Sequence, residues 1–274
     1  MSERVAVLGL GIIGSVWARH LHADGVLTAS WNRTPQPDAP LCVDTPAMAA
    51  RRADQLIVVV ADPAAVQNVL DDLLPELESR HTVIQSSTIG PADAQRFRSH
   101  VTGRGAHYLE APFTGSKPAA EKREIVFYCG GDAATLASVD GVLARLSPHR
   151  LHIGTHEQAC QIKLAMNLQI ATLTEALCEA LTIARKAGIN DDTFFTCMQK
   201  NASWSGLAAL KEPKLRAADY DPQFSIKHLL KDVRLLQQAV GSMPAVDMAV
   251  TQLERAMQAG WADADFGSLI EVLS

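Results

Sequence analysis

Short apolar runs recur through the first half of the chain. RVAVLG (4–9), VLTASW (26–31), QLIVVVA (55–61), TVIQSS (82–87), AHYLEA (106–111) and EIVFYC (124–129) have the length of strands and, in most cases, their β-branched or aromatic content. Between several of them lie SVWARHLHADG (15–25), PAAVQNVLDDLLPEL (63–77) and PADAQRFRSHV (91–101), whose apolar positions return at helical spacing. The alternation predicts an α/β fold, a doubly wound parallel sheet with helices on both faces. Asp132, after Gly130 and Gly131, is expected to cap a helix over AATLASVDGVLARL.

Past His152-Ile153-Gly154 the strand pattern stops. A long helix is expected from about Glu157 to Lys186, closed by Gly188, and then helices over DDTFFTCMQK, FSIKHLLKDVRLLQQAV and PAVDMAVTQLERAMQAG. Asp191 or Asp192 suits the cap of the second, and Pro244 the opening of the last. There is no internal repeat and no low-complexity linker. The expected division is therefore a sheet domain over 1–154 and an all-helical C-terminal domain over 155–274, joined by the long helix. Apolar residues on more than one face of that helix predict packing against a second copy, in a homodimer or tetramer.

Composition narrows the function classes. A net charge of −5 with no basic run argues against nucleic acid as a partner, because phosphate binding needs clustered Lys and Arg. Cys42, Cys129, Cys160, Cys178 and Cys197 are dispersed with no C-x-x-C pair, the pattern of free thiols in a reducing compartment. The histidines form no metal-binding motif, so no metal is expected. No uncharged run approaches the ~18–20 apolar residues of a membrane span, and the N-terminus has no signal-peptide pattern. The expectation is a cytoplasmic protein that acts on small molecules.

VAVLGLGIIGSVWARHL carries G-x-G-x-x-G as Gly9, Gly11 and Gly14, after a strand and at the start of a helix. In that context the first glycine permits a tight turn, the second lets backbone approach a pyrophosphate, and the third lets helix pack on sheet. Helix N–H groups then face the anion, with Ile12 and Ile13 in the turn itself. This is the fingerprint of a Rossmann-type dinucleotide site. The next strand ends in SWNRT, without the carboxylate that binds a ribose 2′-hydroxyl. Arg33 suits a 2′-phosphate, and Asn32 and Thr34 can donate to it, which favours NADP(H) over NAD(H). Ala61, Asp62 and Val66 follow the third long strand, where such folds approach the cofactor ribose.

The long helix poses a separate question. In QIKLAMNLQIATLTEAL (161–177), Lys163 is set into an apolar stretch, and Asn167 falls one turn later on the same face. A lysine is seldom buried without a partner. The simplest structural reading is a polar edge from which the ammonium reaches water on its stem.

Several segments together resemble the β-hydroxyacid dehydrogenases, a family that includes 3-hydroxyisobutyrate dehydrogenase, tartronate semialdehyde reductase and the glyoxylate/succinic semialdehyde reductases. EAPFTGSKPAAE (110–121) is similar to the family's D-A-P-V-S-G-S substrate loop, with Glu110 for Asp and Thr114 for Ser, and its flavour is nearest to the glyoxylate/succinic semialdehyde reductases. The resemblance implies that Thr114 and Gly115 hold a substrate carboxylate. SSTIGP (86–91) resembles the S-T-x-x-P turn and implies Thr88 beside the nicotinamide. FSIKHLLKDVRLL (224–236) resembles the F…KD element and implies that Phe224, Lys231 and Asp232 close over the site, Lys231 on the cofactor side. GTHEQACQIKLAMN matches G-x-x-G-x-G-x-x-x-K-x-x-x-N at Gly154, Lys163 and Asn167, while Glu157 and Ala159 replace the inner glycines.

On that reading Lys163 is the general acid and Asn167 a substrate ligand. Hydride transfer to a carbonyl builds negative charge on its oxygen, which an ammonium stabilises and then protonates. The implied activity is NADPH-dependent reduction of a small 2-oxo acid or semialdehyde of the glyoxylate, succinic semialdehyde or tartronate semialdehyde type. The alternatives are an imine reductase of the same fold, against which Lys163 argues, and a non-catalytic NADPH-binding sensor or partner-binding protein. Decarboxylation of a sugar phosphate would need a longer helical half. His20, His22 and His81 read as surface positions, Lys227 as solvated, Lys117 as solvated or as reaching the distal carboxylate of a dicarboxylic semialdehyde, and Trp17 and Met248 as core.

Overall fold

The computed structural model describes residues 3–273. Its contacts divide the chain into two compact units, with the division after Lys163. That point lies inside the long helix, nine residues beyond the 154 expected from the loss of strand pattern.

The first unit is built on eight strands: β1 (Val5–Leu8), β2 (Leu27–Trp31), β3 (Gln55–Val58), β4 (Thr82–Gln85), β5 (His107–Glu110), β6 (Phe113–Thr114), β7 (Val126–Gly130) and β8 (His149–Gly154). The sheet order is β2-β1-β3-β4-β5-β7-β6, and β8 pairs with β7. The helices are α1 (Gly14–Ala23), α2 (Pro46–Arg52), α3 (Pro63–Leu73), α4 (Pro91–Thr102), α5 (Lys117–Glu121), α6 (Ala133–Leu146) and the start of α7 (His156–Lys186).

β1 to β5 pair in parallel, as the alternation predicts. Their residues face opposite ways in turn: Val5 and Val7 join a core with Trp17, Leu21 and Val142, and Ala6 and Leu8 one with Val66, Leu70 and Phe97. With both faces covered, the strands read as continuous apolar runs. One strand departs from the parallel pairing: β7 runs antiparallel to β5 and β6. Its connection to β6, residues 115–125, is shorter than the dozen or so residues that a parallel crossover needs, so the chain folds straight back.

β2 is not quite the edge. The Ser30 N–H donates to Leu41 O at 2.9 Å and the Val43 N–H to Ser30 O at 2.8 Å, a parallel rung at Cys42. Counting that rung, the order from the edge is 41–43, β2, β1, β3, β4, β5, and the direction of winding reverses between β1 and β3. Doubly wound sheets bind their ligands at this reversal, beyond the carboxyl ends of the strands.

The second unit is helical: the rest of α7, then α8 (Asp191–Gln199), α9 (Gly206–Ala217), α10 (Ile226–Val240) and α11 (Pro244–Gln258), closed by a 3-10 turn over Phe266–Val272. Leu177, Phe195, Leu229, Val233, Val246 and Leu253 belong to its core. Several local expectations need correction. α8 is capped by Asn190, whose Oδ1 accepts the Thr193 N–H at 2.8 Å; Asp191 and Asp192 lie inside the first turn. α9, with Pro213 inside it, and the short α2 carry too weak a pattern to stand out in the sequence. Met248 faces outward, whereas Trp17 is fully buried as expected. His81 is fully buried too, its Nδ1 accepting the Glu78 N–H at 2.8 Å and its Nε2 lying 3.0 Å from Ala50 O. Asp132 does cap α6, accepting from Thr135 N at 2.8 Å.

Candidate active site

The turn after β1 needs its glycines for steric reasons. Gly9 has φ +105°, and a Cβ there would fall 2.2 Å from Val59 O. At Gly14 a Cβ would fall 1.9 Å from Gly9 O, so helix and turn could not close. Gly11 is exposed with open space above it, and Ile12 projects into solvent. No side chain caps α1, whose N-cap is Ile13, so the first helical turn presents backbone donors and the positive end of its dipole.

Asn32 follows β2 and ties the next turn to this one. Its Oδ1 accepts the Leu10 N–H at 2.9 Å, and its amide donates to Thr34 O at 2.8 Å. The side chain is thus engaged with backbone rather than extended as a donor towards a phosphate. Arg33 and Thr34 stand exposed, and Arg33 makes no ion pair among the described residues. After β3, Ala61 is exposed and Asp62 caps α3, accepting the Ala65 N–H at 2.7 Å. Val66 is fully buried in the core, so its side chain has no surface to offer a ribose. Thr88 is half-buried in the turn after β4.

The loop expected to bind substrate leaves the sheet at β6. Phe113 packs edge-on against Trp17, with ring centroids 5.0 Å apart. Thr114 pairs with Val126 and hydrogen-bonds Tyr128, which only partly offsets the burial that pushes the Tyr128 phenol up. Gly115 is exposed at φ +126°, a backbone conformation that side chains rarely adopt. Lys117 lies 3.8 Å from Glu121 on the same exposed face.

α7 opens at a Thr155–Gln158 capping box, in which Gln158 Oε1 accepts the Thr155 N–H at 2.8 Å and Thr155 Oγ1 accepts the Gln158 N–H at 3.3 Å. The two inner glycines are therefore not needed to start the helix. Ala159 sits against Gly130, where a Cβ would come within 2.6 Å of the alanine methyl. Lys163 is only 9% exposed, so nearly all of the residue is withdrawn from water.

In the helical unit, Asn167 is buried and donates to Asp232 Oδ2 at 2.6 Å. The Lys231 ammonium lies 2.8 Å from the other oxygen of Asp232. Phe224 is held from behind by Asp265, which accepts the Gln223 N–H at 3.2 Å and the Phe224 N–H at 3.5 Å. Asp265 also pairs with Lys211 at 2.6 Å, both side chains fully buried, and the Lys211 ammonium lies 3.7 Å from the centre of the Phe266 ring.

Residues 4–154 match the model of the NAD binding domain of 6-phosphogluconate dehydrogenase, and residues 158–273 match the model described as NAD-binding of NADP-dependent 3-hydroxyisobutyrate dehydrogenase. The chain belongs to the β-hydroxyacid dehydrogenase family. Members are NAD(P)-dependent oxidoreductases, and so is this β-hydroxyacid dehydrogenase. It is 28% identical to glyoxylate/succinic semialdehyde reductase 1 of Arabidopsis thaliana over 284 residues, covering 98% of each chain. Its fold is that of the Mycobacterium tuberculosis 3-hydroxyisobutyrate dehydrogenase solved with L-serine, with TM-score 0.90 and 24% identity over 100% of this chain and 99% of that one. A structure described as Psf3 in complex with NADP+ and 2-OPP aligns with TM-score 0.90 and 21% identity over 98% of this chain and 100% of that one.

Within this β-hydroxyacid dehydrogenase, the structure joins Asn32 and Thr34 to the glycine turn, and Asn167 to Lys231 and Asp232. It leaves Val66 in the core and Lys117 at the surface. Sequence reasoning missed Gln85, Tyr108, Lys211 and Asp265, all buried polar residues. Their partners are distant in sequence or, like Tyr108 and Glu110, alternate along a strand that reads as apolar.

Proposed function

We propose that the chain reduces the carbonyl of a small 2-oxo acid or semialdehyde with NADPH, and that Lys163 is the general acid. The observation that carries this reading is a lysine buried on α7, one turn before an asparagine that Asp232 holds by its amide. Burying an ammonium is costly, and a lysine core position is rarely kept for packing. The uncapped start of α1 and the open space over Gly11 suit a pyrophosphate. When bound, a dihydronicotinamide supplies the hydride. Lys163 then stabilises the growing charge on the carbonyl oxygen and donates the proton to it. The bond to Asp232 fixes the donor edge of Asn167, which orients the substrate. Thr114 and the Gly115 N–H receive the substrate carboxylate, while Phe224 and Lys231 cover the site.

The preference for NADPH rests on Arg33, exposed at the end of β2 and without an ion pair among the described residues, and on the missing carboxylate there. Leu173 and Ile183, 44% and 68% exposed on α7, support assembly with a second copy.

The test is a panel of glyoxylate, succinic semialdehyde, tartronate semialdehyde and a cyclic imine, each with NADPH and with NADH. Reduction of the carbonyl acids with NADPH is expected; turnover of the imine alone would replace this reading. Lys163→Ala should lose on the order of 10²–10⁴ in kcat and still bind NADPH. Near-full turnover in that variant would remove Lys163 from the chemistry.

A further inference from the structure

Buried polar side chains form a hydrogen-bonded chain across the carboxyl ends of β3, β4 and β5. Just past β4, Ser87 Oγ accepts the N–H of Val60, just past β3, at 2.8 Å. Gln85 ends β4 and brackets Ser87, its Oε1 accepting the Ser87 N–H at 2.7 Å and its Nε2 donating to Ser87 O at 2.8 Å. The same Nε2 donates to Oε1 of Glu110, which ends β5, at 2.8 Å. Tyr108 donates its hydroxyl to Glu110 Oε2 at 2.8 Å. Gln85, Ser87, Tyr108 and Glu110 are all buried.

None of the groups that act most strongly on Glu110 is positive, and Arg98 of α4 acts on its neighbours Glu157 and His156. Gln85 on β4 and Tyr108 on β5 are neutral, as is the Cys160 thiol of α7 that also bonds it. Glu157 of α7 disfavours a carboxylate there, and Asp93 of α4 acts in the same sense on Tyr108 and Cys160. The His156 ring of α7 lies tilted against that of Tyr108, centroids 5.6 Å apart, and is itself held towards the neutral form by burial. Glu110 makes no ion pair among the described residues. Burial therefore pushes its carboxyl up to about 8, against the pull of its three donors.

In a doubly wound sheet, the turns after these strands border the nucleotide crevice. We propose that Glu110 is a positioning residue for the dinucleotide site: as a neutral acid it ties the turn after β4 to β5 and to the turn after β3, and loss of its proton slackens these turns and weakens dinucleotide binding. A buried carboxylate without a cation is costly to keep dry, and admitting water to it loosens the packing of the strand ends that enclose it. The contact of Thr88 with the nicotinamide rests on the proposed function, but binding of a dinucleotide to this crevice follows from the family alone.

The experiment is fluorescence titration of NADPH into the whole chain from about pH 6.5 to about pH 9.5, around the Glu110 value. The acid is neutral below about 8, so affinity holds there and falls above it, by about fivefold or more as coupled sites commonly do. Glu110→Gln keeps the shape without the proton and should give a flat profile. Tyr108→Phe removes a donor that favours the carboxylate, so the break should move to higher pH; this arm carries the test if the first variant does not fold. The same break in wild type and Glu110→Gln, or an unmoved break in Tyr108→Phe, overturns the proposal. A wild-type chain that binds NADPH with no break overturns it as well. Binding of NADPH with no reduction of any carbonyl acid would instead count against the proposed function and leave this inference standing.

Discussion

Glu110 in the sheet unit and Asp265 in the helical unit are both fully buried, and the chain treats them in opposite ways. Glu110 meets Gln85, Tyr108 and Cys160, all neutral, and burial raises its carboxyl to about 8. Asp265 meets the Lys211 ammonium at 2.6 Å and uses both oxygens to anchor backbone, at Gly267 from one and at Gln223 and Phe224 from the other. The difference follows from what each carboxyl organises. Strand ends already have ladder partners for their backbone, so one neutral acid joining side chains is enough. The segment from Gln223 to Ser225 has an isolated antiparallel bridge, Ser225 with Asp265, in place of a full ladder, and a charge-assisted anchor reinforces it.

The largest break in this comparison is expected from Lys211→Ala. It leaves Asp265 buried and unpaired, which costs about 3–5 kcal/mol, and chemical denaturation should find a variant that has lost much of its stability. Lys211→Met should cost as much, because it too leaves the carboxylate without a cation. If Lys211→Ala unfolds at nearly the wild-type denaturant concentration, the ion pair is not the anchor described.

A smaller effect is expected at the glycine turn. Gly9→Ala places a methyl against Val59 O in a left-handed backbone, a strain of about 1–3 kcal/mol. Its sharper signature is weakened NADPH binding, read by titration, since the turn must shift to fit the methyl. Asn190→Ala should be the mildest, about 1 kcal/mol for a lost helix cap, seen as a modest drop in Tm with dinucleotide affinity intact. A loss there as large as at Lys211 would mean that α8 does more than close the helical core.

What could be read in the sequence was set by distance along the chain. Gly9, Gly11 and Gly14 are legible because a backbone turn is local, and Asp132 because the N–H that donates to it lies three residues on. The helical half was legible from the period of its apolar positions, except α9, where Pro213 interrupts it. The bond from Gln85 to Glu110 joins residues 25 apart, that from Lys211 to Asp265 residues 54 apart, and that from Asn167 to Asp232 residues 65 apart. No periodicity encodes such pairings. The direction of β7 was hidden for another reason: its composition suits either orientation, and only the shortness of its connection decides. His81 reads as a loop residue until its two backbone bonds are seen.

The hairpin of β6 and β7 has a consequence for how chains of this design can diverge. Residues 115–125 leave from one leg and return along the other, so their length is separate from the registers of β1 to β4; their buried positions are not, since Ala120 and Ile125 share a core with Val5, Val7 and Trp17, and Arg123 pairs with Asp24 at the end of α1. A change confined to exposed positions of that loop, such as Gly115 or Lys117, alters its surface without disturbing the core it shares with the strand that carries the glycine turn. Outer face and inner face of the same short loop can therefore drift at different rates, on one uninterrupted polypeptide.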